Sequence, residues 1–407
     1  MTINRDFLLS IPKTDVHLHL DGSLRLSTLI DLAQEYNVKL PSYTEEGLRE
    51  TVFKEKYASL EEYLAGFAYT TAVMQHEAAL ERVAYELALD NQAEGVRYIE
   101  VRFAPQLHQH KHMNAVNVLK AIHKGFERAK REFNGRPEVT SGREPQFEYG
   151  IIVCAMRMFA RGFSEYFDDL LSVHAHSDPR QVFGLASQEL VRASVVARDE
   201  FGVPVVGFDL AGAENGYPAD DHKEAYSLAH KNFIKKTVHA GEAYGPESIF
   251  QAITDCHADR IGHGFYLFNP DKISDPSIED REGYIADLSG YIADRRITIE
   301  VCLTSNMQTN PELRQLSDHT FTKMRKAKLS VTFCTDNRLV SNTTVTDELE
   351  KAVDAFQIGP RELKNYVIYG FKRSFFPRSY LEKREYVRAI IDYYESMEKQ
   401  FGIADGK

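Results

Sequence analysis

Eight short apolar runs, rich in β-branched residues, recur along the chain at 15–20, 98–105, 149–156, 205–211, 236–240, 260–265, 298–304 and 330–335. Amphipathic stretches at 78–94, 114–132, 186–201, 221–235 and 246–257 separate most of them, so strand and helix alternate. Eight such units predict an α/β fold closed as a parallel (β/α)8 TIM barrel, because right-handed crossovers leave few other topologies. An open doubly wound sheet is the competing arrangement, but no Gly-x-Gly-x-x-Gly turn follows any early strand. The stretch 23–97 is too long for one crossover helix, and 361–399 reads as two or three further helices. Extra helices are therefore expected after the first strand and at the C-terminus. Within the first insertion, Ser59-Leu60-Glu61-Glu62 reads as a capping box opening a helix with Leu60, Tyr63, Leu64 and Phe67 on one face. Read from spacing alone, that stripe is core and not pocket wall. Residues 134–146 and 269–283, rich in Gly, Pro and charge, read as surface loops. With no further repeat and no low-complexity linker, residues 1–407 read as one domain with insertions.

Composition removes several classes of function. Hydrophobic residues make up 43% and charged residues 27%, which suits a globular chain with a large core. A net charge of −11 argues against a nucleic-acid interface. No apolar run reaches membrane-spanning length, and Met1–Asp6 lacks a signal-peptide pattern, so no membrane association is expected. Cys154, Cys256, Cys302 and Cys334 include no Cys-x-x-Cys pair, which predicts buried reduced thiols and a cytoplasmic location. The sequence carries no signal for oligomeric state.

The chemistry begins at Thr14-Asp15-Val16-His17-Leu18-His19-Leu20-Asp21-Gly22. In a strand, His17 and His19 point to one face while Val16, Leu18 and Leu20 point to the other. Two imidazoles on one face make half a metal site. Alone the pair is equally a half-exposed strand with two chance histidines. Three later strands end on similar groups: His239-Ala240-Gly241-Glu242, Gly262-His263-Gly264 and Thr335-Asp336-Asn337. Each could be a satisfied core histidine or a capping aspartate. Four strand ends of one barrel, at the face where barrel active sites are built, point instead to a shared site. His17, His19, His239 and Asp336 would give a metal three imidazoles and one carboxylate, with a position left for water. Two other histidine tracts, Leu107–His112 and Val173–His176, lie in polar stretches without partners and read as solvated loops, the first placed to rim the barrel mouth.

From about residue 11 to residue 375 the chain resembles the adenosine deaminase family of the amidohydrolase superfamily. The resemblance rests on Thr-Asp-Val-His-Leu-His-Leu-Asp-Gly, Glu-Val-Arg-Phe-Ala-Pro, Asp209-Leu210-Ala211-Gly212, His-Ala-Gly-Glu, Arg-Ile-Gly-His-Gly, Glu300–Asn306 and Thr-Asp-Asn, in that order. It implies one zinc ion per chain, held by His17, His19, His239 and Asp336. It makes Glu242 the proton donor to purine N1 and His263 the residue that activates the attacking water. Gly212 would meet N3 through its backbone N–H, Asp21 the ribose, and Asn337 the ring nitrogen N7. The Leu60, Tyr63, Leu64, Phe67 stripe would become the apolar lid over the sugar, reversing its reading from spacing alone. The implied substrate is a small purine nucleoside, adenosine or 2′-deoxyadenosine, converted to the inosine form with release of ammonia. Adenine or a larger derivative such as aminodeoxyfutalosine is the alternative. One departure bears on that choice: the family pattern has a second aspartate where this chain has Asn337, followed by Arg338, a Thr-Asp-Asn-Arg motif shared with some bacterial members. Two other classes compete. A binuclear amidohydrolase would need a bridging carboxylated lysine or glutamate at a strand end, and the fourth strand ends without a lysine. A catalytically silent relative would have no use for a full ligand set.

Overall fold

The computed structural model describes residues 3–310 and 312–403, and every side chain among them except that of Glu61. Among these residues eight parallel strands pair in chain order: β1 (Lys13–His19), β2 (Val96–Phe103), β3 (Glu148–Met156), β4 (Val205–Ala211), β5 (Lys235–Ala240), β6 (Arg260–His263), β7 (Thr298–Val301) and β8 (Ser330–Phe333). The last seam closes one step beyond β8. His19 N–H donates to the Asp336 carbonyl at 2.7 Å, and Asp336 N–H to the His17 carbonyl at 2.8 Å. The expected (β/α)8 barrel is the observed one.

Differences from expectation concentrate at the C-terminal ends. The run 298–304 was expected to be one strand, but β7 stops at Val301 and Leu303–Thr309 is a helix. A short apolar run reads equally well as either, and no Gly or Pro separates the two here. β6 and β8 likewise stop at His263 and Phe333, so Asp336 and Asn337 lie in the loop beyond. Nearly every strand residue is buried, because side chains fill the inside and helices cover the outside. That removes the half-exposed picture of β1.

The barrel interior is charged. Arg102 on β2 and Arg260 on β6 are buried beside Glu100 and Glu300, residues tolerated there because each is paired. Outside, the first insertion forms helices Leu26–Glu35, Glu45–Thr51, Leu60–Ala65 and Phe67–Val73 before the long helix Glu77–Ala93. The expected single helix bearing Leu60, Tyr63, Leu64 and Phe67 is thus two, divided at Gly66, whose Cβ position lies 3.2 Å from the Phe53 ring. Its capping box is half made. Ser59 Oγ accepts from Glu62 N–H, but the Glu62 carboxylate accepts from Ala58 N–H and binds Lys54. The stretch 134–146 is largely exposed as expected, with one helical turn at Pro137–Thr140. All four cysteines are buried and unpaired, and no described helix is long and apolar enough to cross a membrane.

The histidine tracts divide. His174 and His176 end a helix near the surface, as expected. His108 does not sit in a solvated loop. It is fully buried, and its Nδ1 donates to the Met74 carbonyl at 3.1 Å, because the turn Pro105–Leu107 folds it inward.

In the tail, Pro360–Arg373 and Tyr380–Gln400 are the two described helices, the second opened by a complete Ser379–Glu382 capping box. The first lies across β1 and β8, where Gly370 allows close approach: a Cβ there would overlap Thr14 Oγ1 and lie 3.1 Å from Thr332 Oγ1. Gly370→Val should therefore push this helix off the seam and cost about 1–3 kcal/mol, the usual range for overpacking. A lowered urea midpoint with an unchanged slope would register it.

Candidate metal and catalytic centre

Four of the residues singled out from the strand ends meet at the C-terminal mouth of the barrel. His17 and His19 Nε2 each lie 3.4 Å from Asp336 Oδ1, and His19 Nε2 is 3.1 Å from His239 Nε2. All four residues are buried, and their candidate ligand atoms fall within 4.8 Å of one another. The orientation of two rings is fixed from behind. His17 Nδ1 faces Glu300 Oε2 at 2.8 Å, and His239 Nδ1 faces Asp209 Oδ2 at 3.1 Å. A carboxylate only accepts, so both Nδ1 atoms carry the proton and both Nε2 lone pairs aim inward. His17 Nε2 has no hydrogen-bond partner there. Converging lone pairs beside a carboxylate repel one another in a dry space and suit a divalent cation.

Behind the ligands, Arg102 joins the two orienting carboxylates, with Nη1 2.9 Å from Asp209 Oδ2 and Nη2 2.9 Å from Glu300 Oε2. Burial alone would raise the Glu300 carboxyl, but Arg102 and Arg260 hold it well below its ordinary range. Burial likewise opposes ionisation of Asp336, and hydrogen bonding and charge from His17 outweigh it. His263 and Asp336 both adopt left-handed backbone, φ 64° and 61°, a strained conformation for residues other than glycine.

Glu242 enters the same space from the turn after β5. Gly241 takes φ 69° there, and a Cβ on it would lie 2.6 Å from Ile249 Cδ1, so only glycine fits. The turn is clamped by Glu214, whose carboxylate accepts the N–H groups of Gly241, Glu242, Ala243 and Tyr244 at 2.6–3.0 Å, together with the Ser248 hydroxyl. The Glu242 carboxyl stands 3.7 Å from His263 Nε2, and burial pushes it up to about 8. At neutral pH it holds its proton. A second donor group, His263, Cys302 and Asp336, shares Asp336 with the first, and burial keeps the Cys302 thiol protonated.

The remaining candidates surround this centre. Asp21 is buried, its Oδ1 is unpartnered, and its carboxyl is pushed up to about 7 by burial. Asn337 Nδ2 donates to the Tyr63 hydroxyl at 2.8 Å, which in turn meets Ser341 Oγ at 2.8 Å. Asn337 Oδ1 has no partner and occupies the space a Cβ at Gly22 would need, which explains the glycine after Asp21. Gly212, φ 101°, follows directly after Ala211, the last residue of β4. Leu60 lines a cavity of about 390 Å³ with Ala213, Glu214, Asn215, Ala243 and Tyr244. Tyr63 belongs to the main apolar core, and Leu60, Leu64 and Phe67 all pack against it.

Sequence reasoning did not single out Arg102, Glu300 or Glu214, nor the role of Asp209 behind His239. A signal was present: charged residues inside apolar strand runs are almost never buried unless paired, so Glu100-Val-Arg102 and Glu300 imply an internal ion network. If Asp209 orients His239, Asp209→Asn should weaken metal binding about 10–100-fold. His239→Ala should abolish stoichiometric binding. Competition against a chromophoric chelator measures both, with far-ultraviolet circular dichroism confirming that the barrel persists.

Comparison with known proteins agrees with this geometry. The adenosine deaminase family profile matches residues 12–393. An adenosine deaminase of Mycobacteroides abscessus is 36% identical over 369 residues, covering 90% of this chain and 91% of the relative. Among solved structures, an amidohydrolase from Burkhoderia ambifaria with bound Zn superimposes with TM-score 0.75 at 19% identity, covering 99% of this chain and 97% of the other. An adenine deaminase from Arthrobacter aurescens gives TM-score 0.72 at 20% identity, covering 95% and 99%. At such identities the two structures speak to the fold alone. The family match and the 36% identity carry the assignment: this chain belongs to the adenosine deaminase family.

Proposed function

We propose that the protein is a zinc-dependent hydrolase that deaminates a 6-aminopurine nucleoside, adenosine or 2′-deoxyadenosine, to the 6-oxo product and ammonia. The observation that carries this reading is a buried carboxyl, Glu242, held 3.7 Å from His263 in the same mouth as a His-His-His-Asp cluster. The family and the curated relatives that bear the name adenosine deaminase support it. His17, His19, His239 and Asp336 would hold one zinc, which would supply an acidified water as the nucleophile. Of the water's two protons, one leaves with the 6-amino group as ammonia when the C6–N6 bond breaks, and the other restores Glu242. Bonding of the water oxygen to C6 displaces electron density onto N1, which needs a proton. Glu242 delivers it, a role that requires the elevated acidity constant its burial creates. Gly212 N–H and the Asn337 amide hold the purine edge at N3 and N7, Asp21 holds the ribose, and Leu60 with Tyr63 closes over the sugar.

Two outcomes follow. Glu242→Gln should keep its metal yet lose at least about two orders of magnitude in kcat, the scale of a general acid. Because Glu242 acts only while protonated, kcat/KM of the parent should be level in neutral solution and fall as pH rises through about 8. Ultraviolet absorbance on a panel of 6-aminopurines reads both and ranks the substrates; equal turnover of free adenine and adenosine would remove the ribose from recognition.

Asn337 retains one N–H after bonding Tyr63. If that N–H meets N7, the 7-deaza analogue of adenosine leaves it unpaired and should lose about 1–3 kcal/mol in transition-state binding. Equal specificity constants for adenosine and its 7-deaza analogue would show that Asn337 does not read the ring.

A further inference from the structure

A single backbone amide sets the direction of a hydrogen-bond chain that ends at the catalytic mouth. Phe321 N–H donates to His319 Nδ1 at 3.0 Å. Two N–H groups cannot face each other at that distance, so His319 Nδ1 is bare and its ring proton sits on Nε2. Burial pushes His319 down to about 3, which keeps the ring neutral. Its Nε2–H lies 3.1 Å from Asn306 Oδ1, which accepts it. The amide can then turn only one way. Asn306 Nδ2 is the group 3.2 Å from His263 Nδ1, and it donates there. His263 Nδ1 is consequently a lone pair, and the ring proton lies on Nε2. That Nε2 is the buried atom without a hydrogen-bond partner, 3.7 Å from Glu242. All three side chains are buried, so water does not compete for the chain.

We propose that Asn306 and His319 are positioning residues that lock His263 in the Nε2–H form, so that it offers the reacting oxygen a donor and not a lone pair. The consequence for the mechanism rests on the deaminase reading above. His263 would stabilise charge developing on the oxygen that attacks C6, as a fixed dipole aimed at the transition state. It would not begin the cycle as the base expected from the sequence. The tautomer itself does not depend on which purine is the substrate.

The test uses the zinc-loaded protein labelled with 15N in its histidine rings, with long-range ring proton–nitrogen spectra and His263→Gln to identify the signal. The expected wild-type pattern is a bare Nδ1 and protonated Nε2 at His263. Asn306→Asp replaces the donor by an acceptor, so the His263 proton should move to Nδ1. Its kcat should fall roughly 100-fold, the scale of a lost oxyanion donor, while KM and zinc stoichiometry hold. His319→Gln keeps a donor towards Asn306 Oδ1 and should preserve both the ring pattern and most of kcat. A wild-type His263 protonated on Nδ1 would overturn the proposal, and this reading needs no variant to fold. So would Asn306→Asp with an unmoved proton, or with a moved proton and intact kcat. Absence of turnover on every 6-aminopurine would defeat the functional reading and leave the ring pattern standing.

Discussion

The Arg102 guanidinium lies between two carboxylates, and the ligand cluster depends on that contact. Asp209 and Glu300 must stay ionised to accept the Nδ1 protons of His239 and His17, and both are buried. Without Arg102, Asp209 would face the several kcal/mol penalty of an uncompensated buried charge, take up a proton and release His239, while Glu300 would keep only Arg260. The surrounding charges make a further point. Two guanidinium groups, Arg102 and Arg260, stand against the four carboxylates of Asp209, Glu300, Glu100 and Asp336. These paired charges, with Glu300 behind His17 and Asp209 behind His239, fix the direction of both ligand rings.

The same logic of fixed direction extends to Glu242 and His263. Glu242 sits on a turn whose four amides converge on Glu214, so the acid moves only if a buried carboxylate gives up several charge-assisted bonds. His263 and Asp336 keep left-handed backbone because strand pairing on one side and side-chain bonds on the other over-determine it. Rigid placement of this kind leaves little reorganisation to be done when charge develops at the purine.

Much of this was legible in the chain. Alternating runs located all eight strands, and the residues at their ends located the ligand set, because strand periodicity maps directly onto the two faces of a barrel wall. Glu300, Arg102 and Glu214 were not legible as partners, since their meaning arises only when β2, β4 and β7 are brought around one axis. Asn306 and His319 were hidden for a related reason. Asn306 only ends a family motif, two residues past the expected strand 298–304, and it sits in the helix Leu303–Thr309; His319 belongs to a turn with no periodicity at all. Helical spacing also grouped Leu60, Tyr63, Leu64 and Phe67 on one helix, which Gly66 divides into two.

Asp336 carries two duties in adjoining atoms. Its carboxylate belongs to the ligand cluster, and its backbone makes two backbone hydrogen bonds that join the segment after β8 to β1. The first two ligands are synthesised near the start of the chain and the last near its end. A nascent polypeptide can therefore present His17 and His19 long before it can complete the cage. Asp336 is thus the one ligand through which the end of the chain both closes the cylinder against its beginning and completes the cage that His17 and His19 start.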